Sequence, residues 1–386
     1  MRLLHTSDWH VGKPIGGRSR MEEYADALNE VVAIASDQEI DAVLISGDIY
    51  EQRAPTPDAD ALVFETLIRF HEAGTRVVII PGNHDSAARF AALAPLLSKI
   101  GVFVVAQVAP PDRGGQIEIS ARDGSAGALI ACVPFVPERR FGDAAALFEA
   151  GENWYLSYAA GMSELLAAMT TGFRADHVNI LMAHLFTDGA LLGGGEREVT
   201  IGAEYAIPPG RLPSVATYIA LGHVHMPQSV QGAAAPARYG GSLLQLDFGE
   251  SDQRKSVYVI EATAGKPAAV EQIELSAGRH LVTLRGTLDE LAGQQSTIGD
   301  AYLRVFVQTA GPVPGINERV RELLPNAIQV RPEYPRATPT PVVTPIASLQ
   351  PREQFLAYYD RAHGVAPAPE LVAAFTEVLE LEQDRG

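Results

Sequence analysis

The chain has 386 residues, 47% of them hydrophobic and 20% charged, with a formal net charge of −17. That length and balance suit a globular protein of two or three domains with a full core. The acid excess argues against strong unaided affinity for nucleic acid, which calls for a basic face. It leaves room for a local basic groove or for help from a second subunit.

The first 275 residues alternate β-branched runs with amphipathic segments. Strands are expected at "RLLHTS", "DAVLISGD", "TRVVIIP", "VFVV", "ALIACVPF", "VNILMAHLF", "TYIALGH" and "SVYVIEA", and helices over about 20–38, 57–73, 86–99 and 152–171. Continuous apolar strands such as "DAVLIS" and "YIAL" suit a sheet covered on both faces, so 1–275 reads as an α/β domain. Residues 276–332 follow a β-α-β-α-β pattern and predict a small α+β domain. The Pro-rich stretch at 333–349 predicts an extended linker. Residues 350–386 predict two helices, "PREQFLAYYDRAHG" ending at Gly364 and "PELVAAFTEVLELEQ", the second with Leu371, Phe375 and Val378 on one face.

The single cysteine, Cys132, excludes an internal disulfide framework and reads as a buried strand residue, pointing to a reducing compartment. No run approaches the roughly 18 unbroken apolar residues of a membrane span. The start "MRLLHTSDWH" lacks the apolar stretch of a signal peptide. A cytoplasmic protein without a membrane segment is expected.

Chemistry-bearing residues gather at strand ends. Asp8 and His10 stand in "TSDWHVG", Asp48 in "ISGDIYE", Asn83 and His84 in "PGNHDS", His184 in "LMAHLF", and His223 and His225 in "LGHVHMP". In open α/β sheets, functional groups collect at the carboxyl ends of strands. Carboxylate, imidazole and amide oxygen are donors for Mn, Fe or Zn, with no sulfur required. Pairs spaced i, i+2, as in Asp8/His10 and His223/His225, point to one side of an extended segment. Seven such donors exceed one tetrahedral site and suit two metals about 3.5–4 Å apart. Singly, each motif has a plain alternative: GNHD is a good turn sequence with Gly82 at the sharp bend, and HVH fits two half-buried strand histidines. The ordered set is what lifts the metal reading above these alternatives. His5, His71, His177, His280 and His363 are read as surface or hydrogen-bonded core residues.

The ordered set resembles the calcineurin-like metallophosphoesterase superfamily. More narrowly, "HTSDWHVGK", "SGDIYE", "PGNHDS", "AHLF", "YIALGHVHMPQ" and "YGGSLLQLDFGE" are similar to the SbcD family, the nuclease subunits of bacterial SbcCD DNA-end processing complexes. The resemblance implies an αββα sandwich at 1–275, a capping domain at 276–332 and a partner-binding helical segment at 350–386. It assigns one metal to Asp8, His10, Asp48 and His225, and a second to Asp48, Asn83, His184 and His223. His84 is then the catalytic residue at the scissile phosphate rather than a ligand. Two divalent ions are implied, Mn²⁺ foremost, with 3′→5′ exonuclease activity on duplex DNA and endonuclease activity on single strands and hairpins. The implied partners are the ATPase SbcC, DNA ends and hairpins, and a second copy of the chain as a homodimer.

Where archaeal and eukaryotic relatives have a histidine, this chain has Glu51, expected to act from behind the ligands. Asp85 is expected either to orient His84 or to cap the next helix. Lys13, Arg18, Arg20, Arg53 and Arg89 flank the motifs as candidate DNA-backbone contacts. The alternative reading is a metallophosphatase or phosphodiesterase acting on a non-DNA phosphoester. Ser/Thr phosphatases of the superfamily carry GDxxDRG and GNHE, where this chain has "GDIYEQR" and "GNHD".

Overall fold

The computed structural model describes residues 1–137, 158–193, 196, 206–335 and 351–383. Chain contacts divide it into two units, Met1–Glu333 and Tyr334–Gly386.

In the larger unit the chain forms β1 (Arg2–Thr6), α1 (Met21–Asp37), β2 (Ala42–Ile45), α2 (Pro57–Glu72), β3 (Arg76–Ile79), α3 (Ala87–Leu97) and β4 (Val102–Val104). It continues with β5 (Gln116–Ser120), β6 (Gly127–Val133), α4 (Tyr158–Met169), β7 (Val178–His184), β8 (Tyr218–Gly222), β9 (Gln228–Ser229), β10 (Ala237–Tyr239), β11 (Ser256–Glu261) and β12 (Ala269–Glu274). These strands build two six-stranded sheets, ordered β12-β11-β1-β2-β3-β4 and β5-β6-β7-β8-β10-β9. Strands β1 to β4 run parallel, as do β6, β7, β8 and β10, while β5, β9, β11 and β12 are antiparallel at the margins.

Alternate residues of each apolar strand serve two interfaces, which is why these strands carry no polar face. Leu3, Leu44 and Val78 meet Ile130, Ile180 and Ala220 between the sheets. Leu4, Val43 and Val77 pack outward with Leu28, Val31 and Phe70 of α1 and α2. On the far side, Ala131, Leu181 and Ile219 pack with Met162, Leu165 and Leu166 of α4. The result is the αββα sandwich.

Helices α1, α2 and α3 begin and end within two residues of the sequence expectation. Thr56 caps α2 through the Ala59 amide with Pro57 at its start, and Ser86 caps α3 through the Arg89 amide. The start of the helix predicted at 152 lies outside the described residues, as does most of the predicted linker. Four strands escape the pattern. β9 and β10 are too short to show a period, and β5 and β12 are marginal strands with mixed exposure.

Beyond the sandwich come β13 (Leu281–Gly286), α5 (Leu288–Ile298), β14 (Tyr302–Gln308), α6 (Ile316–Leu323) and β15 (Ala327–Glu333), with all three strands parallel. Thr287 and Glu290 form a reciprocal capping box at the start of α5. Leu303, Val305 and Val307 fill the core under the two helices with Leu291 and Val320.

The smaller unit contains α7 (Pro351–His363) and α8 (Pro369–Gln383). Phe355 of α7 stacks on Phe375 of α8 with ring centroids 4.1 Å apart. Gly364 takes the left-handed conformation that ends α7, with φ of 69°.

Candidate metal centre

All the predicted donors converge on one buried pocket at the carboxyl ends of β1, β2 and β3 in one sheet and β7 and β8 in the other. Donor atoms of Asp8, His10 and His225 lie within 4.8 Å of one another, and so do those of Asp48, His184 and His223. Asn83 joins the second group: its Oδ1 is 2.9 Å from both His184 Nε2 and His223 Nδ1. By distance alone His84 also qualifies beside His10 and Asp48.

The backbone that delivers these side chains is not the extended segment expected from the i, i+2 spacing. Asp8, His10, Asp48 and His223 all have positive φ, at 49°, 48°, 50° and 102°. Non-glycine residues adopt this region rarely, and at a cost of about 1–3 kcal/mol each. Neighbouring loops hold them there. The amide of Asp8 donates to the Gly47 carbonyl at 2.9 Å and that of His10 to the Asp48 carbonyl at 3.0 Å. The two carboxylates are pinned by the next motifs: Asp8 accepts from the His223 amide at 3.0 Å, and Asp48 from the His84 amide at 2.7 Å.

Gly82 serves close approach rather than a sharp bend. It lacks a positive φ, and a Cβ there would strike Asp48 Oδ1 and the Asp48 amide nitrogen. A side chain at Gly47 or Gly222 would likewise strike His184.

Three of the rings are oriented by what the other nitrogen meets. His10 Nδ1 is 2.9 Å from Glu51 Oε2, His184 Nδ1 is 2.8 Å from the Ser46 carbonyl, and His225 Nδ1 is 3.1 Å from Glu250 Oε1. Burial lowers His10 to about 4, so at neutral pH its Nδ1–H faces Glu51 and its Nε2 carries a lone pair. That Nε2 is buried without a hydrogen-bond partner. An orphaned, inward-facing imidazole nitrogen beside two carboxylates is the arrangement a divalent cation requires.

The electrostatics agree. Burial and the like charge of Asp48 push Asp8 up to about 6, against the pull of His184 and His225. Burial disfavours a charge on His184, but the adjacent Asp48 outweighs it and raises the ring to about 9. Burial likewise opposes ionisation of Asp48, and His184 nevertheless holds it well below the ordinary range. The pocket draws protons where it is short of positive charge, and cation binding displaces such protons.

Glu51 takes the place expected for it, behind His10 and paired with Lys13 at 3.1 Å. Neither expectation for Asp85 holds. Its carboxylate accepts from the amides of Gly82, Ile49 and Tyr50 at 2.9, 3.2 and 3.1 Å, which ties the loop after β3 to the loop after β2. Ser86 caps α3 instead, and His84 Nδ1 is 2.9 Å from the Glu51 carbonyl. Arg20 is not a free cation for DNA: it is buried, paired with Glu23 and bonded to the Gln245 carbonyl. Lys13 and Arg89 are also paired, the latter with Asp60, whereas Arg18 and Arg53 are exposed. Glu250 was missed as a site residue. Its only sequence signal is its place in "LQLDFGE", among the motifs that carry the resemblance, and no spacing rule links it to His225.

Comparison with known proteins places this geometry in a family. The model for the calcineurin-like phosphoesterase family matches residues 1–227. A second model, described as the Type 5 capsule protein repressor C-terminal domain, matches residues 278–363. The chain is 32% identical to the SbcD subunit of nuclease SbcCD from Bacillus subtilis over 393 residues, covering 98% of this chain and 97% of that protein. It is 29% identical to the SbcD protein of Escherichia coli K12 over 306 residues, 76% of this chain and 73% of the other. The SbcD protein of Rhodobacter capsulatus is 30% identical over 311 residues, 76% of each chain. The chain therefore belongs to the calcineurin-like phosphoesterases, and within them to the SbcD family.

Proposed function

We propose that this protein is a DNA nuclease dependent on two divalent cations, processing DNA ends and hairpins together with an SbcC-type ATPase. The observation that carries the reading is the meeting of seven donors, from five separate strand ends, in one buried pocket where His10 Nε2 has no partner. Asp8, His10, Asp48 and His225 would hold one cation, and Asp48, Asn83, His184 and His223 the other, with Asp48 shared. Bound there, the cations supply positive charge to a non-bridging phosphate oxygen and activate a water as the nucleophile. An all-oxygen and nitrogen donor set accommodates Mn²⁺, the ion we assign.

His84 is set aside from ligation, because Asp8, His10, Asp48 and His225 already provide four donors. The Glu51 carbonyl fixes its ring through Nδ1, so a proton carried on Nε2 would meet the phosphate or the departing 3′ oxygen. Asp85 fixes the backbone at Gly82, ahead of this ring, and at Ile49 and Tyr50, just after Asp48.

In this reading the cleavage is 3′→5′ on duplex ends and endonucleolytic on single strands and hairpins, in the cytoplasm. The helical pair α7–α8 forms the ATPase docking segment, and the exposed Tyr358 and Leu371 support helix-in-groove binding. A homodimer enters this reading through the likeness to the SbcD family. No helix among the described residues is long and apolar enough to cross a membrane.

The test is Mn²⁺-dependent cleavage of end-labelled blunt and hairpin duplexes, with and without the ATPase, beside phosphomonoesters and cyclic nucleotides. DNA cleavage abolished by chelator is expected. Strong monoesterase activity with intact DNA would overturn the reading.

A further inference from the structure

The imidazoles facing the pocket are not held alike. His184 is backed by a neutral backbone carbonyl, that of Ser46. His10 and His225 are backed by carboxylates, Glu51 and Glu250, and both belong with Asp8 to the same donor group.

Glu250 is itself clamped. It is fully buried, and its Oε2 accepts from the Leu246 amide at 2.9 Å and from Lys255 Nζ at 2.8 Å. Lys255, also buried, donates in addition to the His225 carbonyl at 2.9 Å. The pair thus grips His225 at both ring and backbone, while Glu196 accepts from the His225 amide at 3.2 Å. A buried ion pair is a poor stability device, since desolvating each ion costs several kcal/mol and an apolar pair of similar volume often does as well. What an apolar pair lacks is the means to fix the Nδ1–H tautomer and leave Nε2 available to a cation.

We infer that Glu250, locked by Lys255, is a positioning residue for His225. Together with Glu51 behind His10, it strengthens the hold of the Asp8–His10–His225 side on a cation. The inference rests on reading the pocket as a two-cation centre. A carboxylate acceptor pins the ring and increases its electron donation, whereas the Ser46 carbonyl behind His184 brings no full charge.

The test uses full-length, metal-free protein titrated with Mn²⁺, followed by calorimetry and by the EPR signal of the bound ions. The parent is expected to bind two ions in two steps. Glu250→Gln keeps an acceptor and removes the charge. The double variant Glu250→Met with Lys255→Met removes the pair without stranding a buried ion. One step should weaken about 10-fold in the first and up to about 100-fold in the second. The other step should stay unchanged, and the metal-free thermal midpoint of the double variant should stay near the parent's. Glu51→Gln should act on the same step as the Glu250 variants.

Parent-like binding in both Glu250 variants overturns the positioning role, and equal weakening of both steps overturns its assignment to the His225 side. A double variant with no cooperative thermal transition makes the pair structural and also overturns the inference. A parent that fails to bind two ions removes the two-cation reading itself, an outcome distinct from the others.

Discussion

The sandwich and the small parallel sheet beyond it are built from the same strand–helix alternation, yet they finish their strands differently. In the sandwich, strand ends carry buried Asp8, His10, Asp48, His184, His223 and His225, and four of these sit on left-handed backbone. Among the described residues of Leu281–Glu333, no buried side chain is charged and no non-glycine residue has positive φ. Buried charge and left-handed backbone thus concentrate at the pocket, with Arg20 and Glu39 outside it, and the large double core around the pocket fixes conformations a lone loop would not keep. The small sheet bears no such load. Its capping box follows an ordinary local rule.

The largest effect that sharpens this contrast is expected at His84. Replacing it with alanine should lower kcat about 10²–10⁴-fold, the usual weight of a positioned acid or base, with Mn²⁺ stoichiometry unchanged by calorimetry. If His84→Ala instead loses its ions, the division between ligands and catalyst is wrong.

The small sheet should answer in the opposite way. Leu303 is 1% exposed in its core, so Leu303→Ala should cost about 2–5 kcal/mol in urea unfolding. Hydrolysis of a small phosphodiester below the transition should be unaffected. A matching fall in that hydrolysis would show that the two regions are not separable.

The smallest effect lies at their junction. Glu23 of α1 accepts from Arg20, from the Arg279 amide at 2.9 Å and from the Tyr302 hydroxyl at 3.0 Å. Burial pushes its carboxyl up, but the hydrogen bonds from Arg20 and Arg279 outweigh this and bring it below its ordinary value of 4.5. A depressed carboxylate contributes stability in full above that ordinary value and loses it as the pH falls through the folded value. The protection factors of the Leu281 and Tyr302 amides, corrected for the intrinsic exchange rate at each pH, should therefore fall on acidification below about pH 4.5, and Glu23→Gln should flatten the dependence. An unchanged profile in that variant would assign the junction to its apolar contacts, Ile15, Phe248, Leu281 and Tyr302.

Much of this molecule was legible in the chain. Apolar runs of β-branched residues reveal strands that bury both faces, and "TPDA" and "DSAAR" announce helix starts through Thr56 and Ser86. The donors were legible because metal chemistry restricts residue type, and because they recur in order just after strands. These are local properties, readable within a few residues of each site.

What only the tertiary structure decided involves partners far apart in sequence. The Asp8 carboxylate meets the His223 amide 215 residues away, and Glu250 meets His225 from a loop with no metal motif of its own. Spacing suggested an extended backbone for Asp8 and His10, but only packing against the loop after β2 could hold them left-handed. The duty of Asp85, bonded to three amides from two loops, was equally hidden. A sequence names the donors and acceptors each residue carries. Which of them meet is set by the closure of the two sheets, because a hydrogen bond depends on distance and direction in space rather than on separation along the chain.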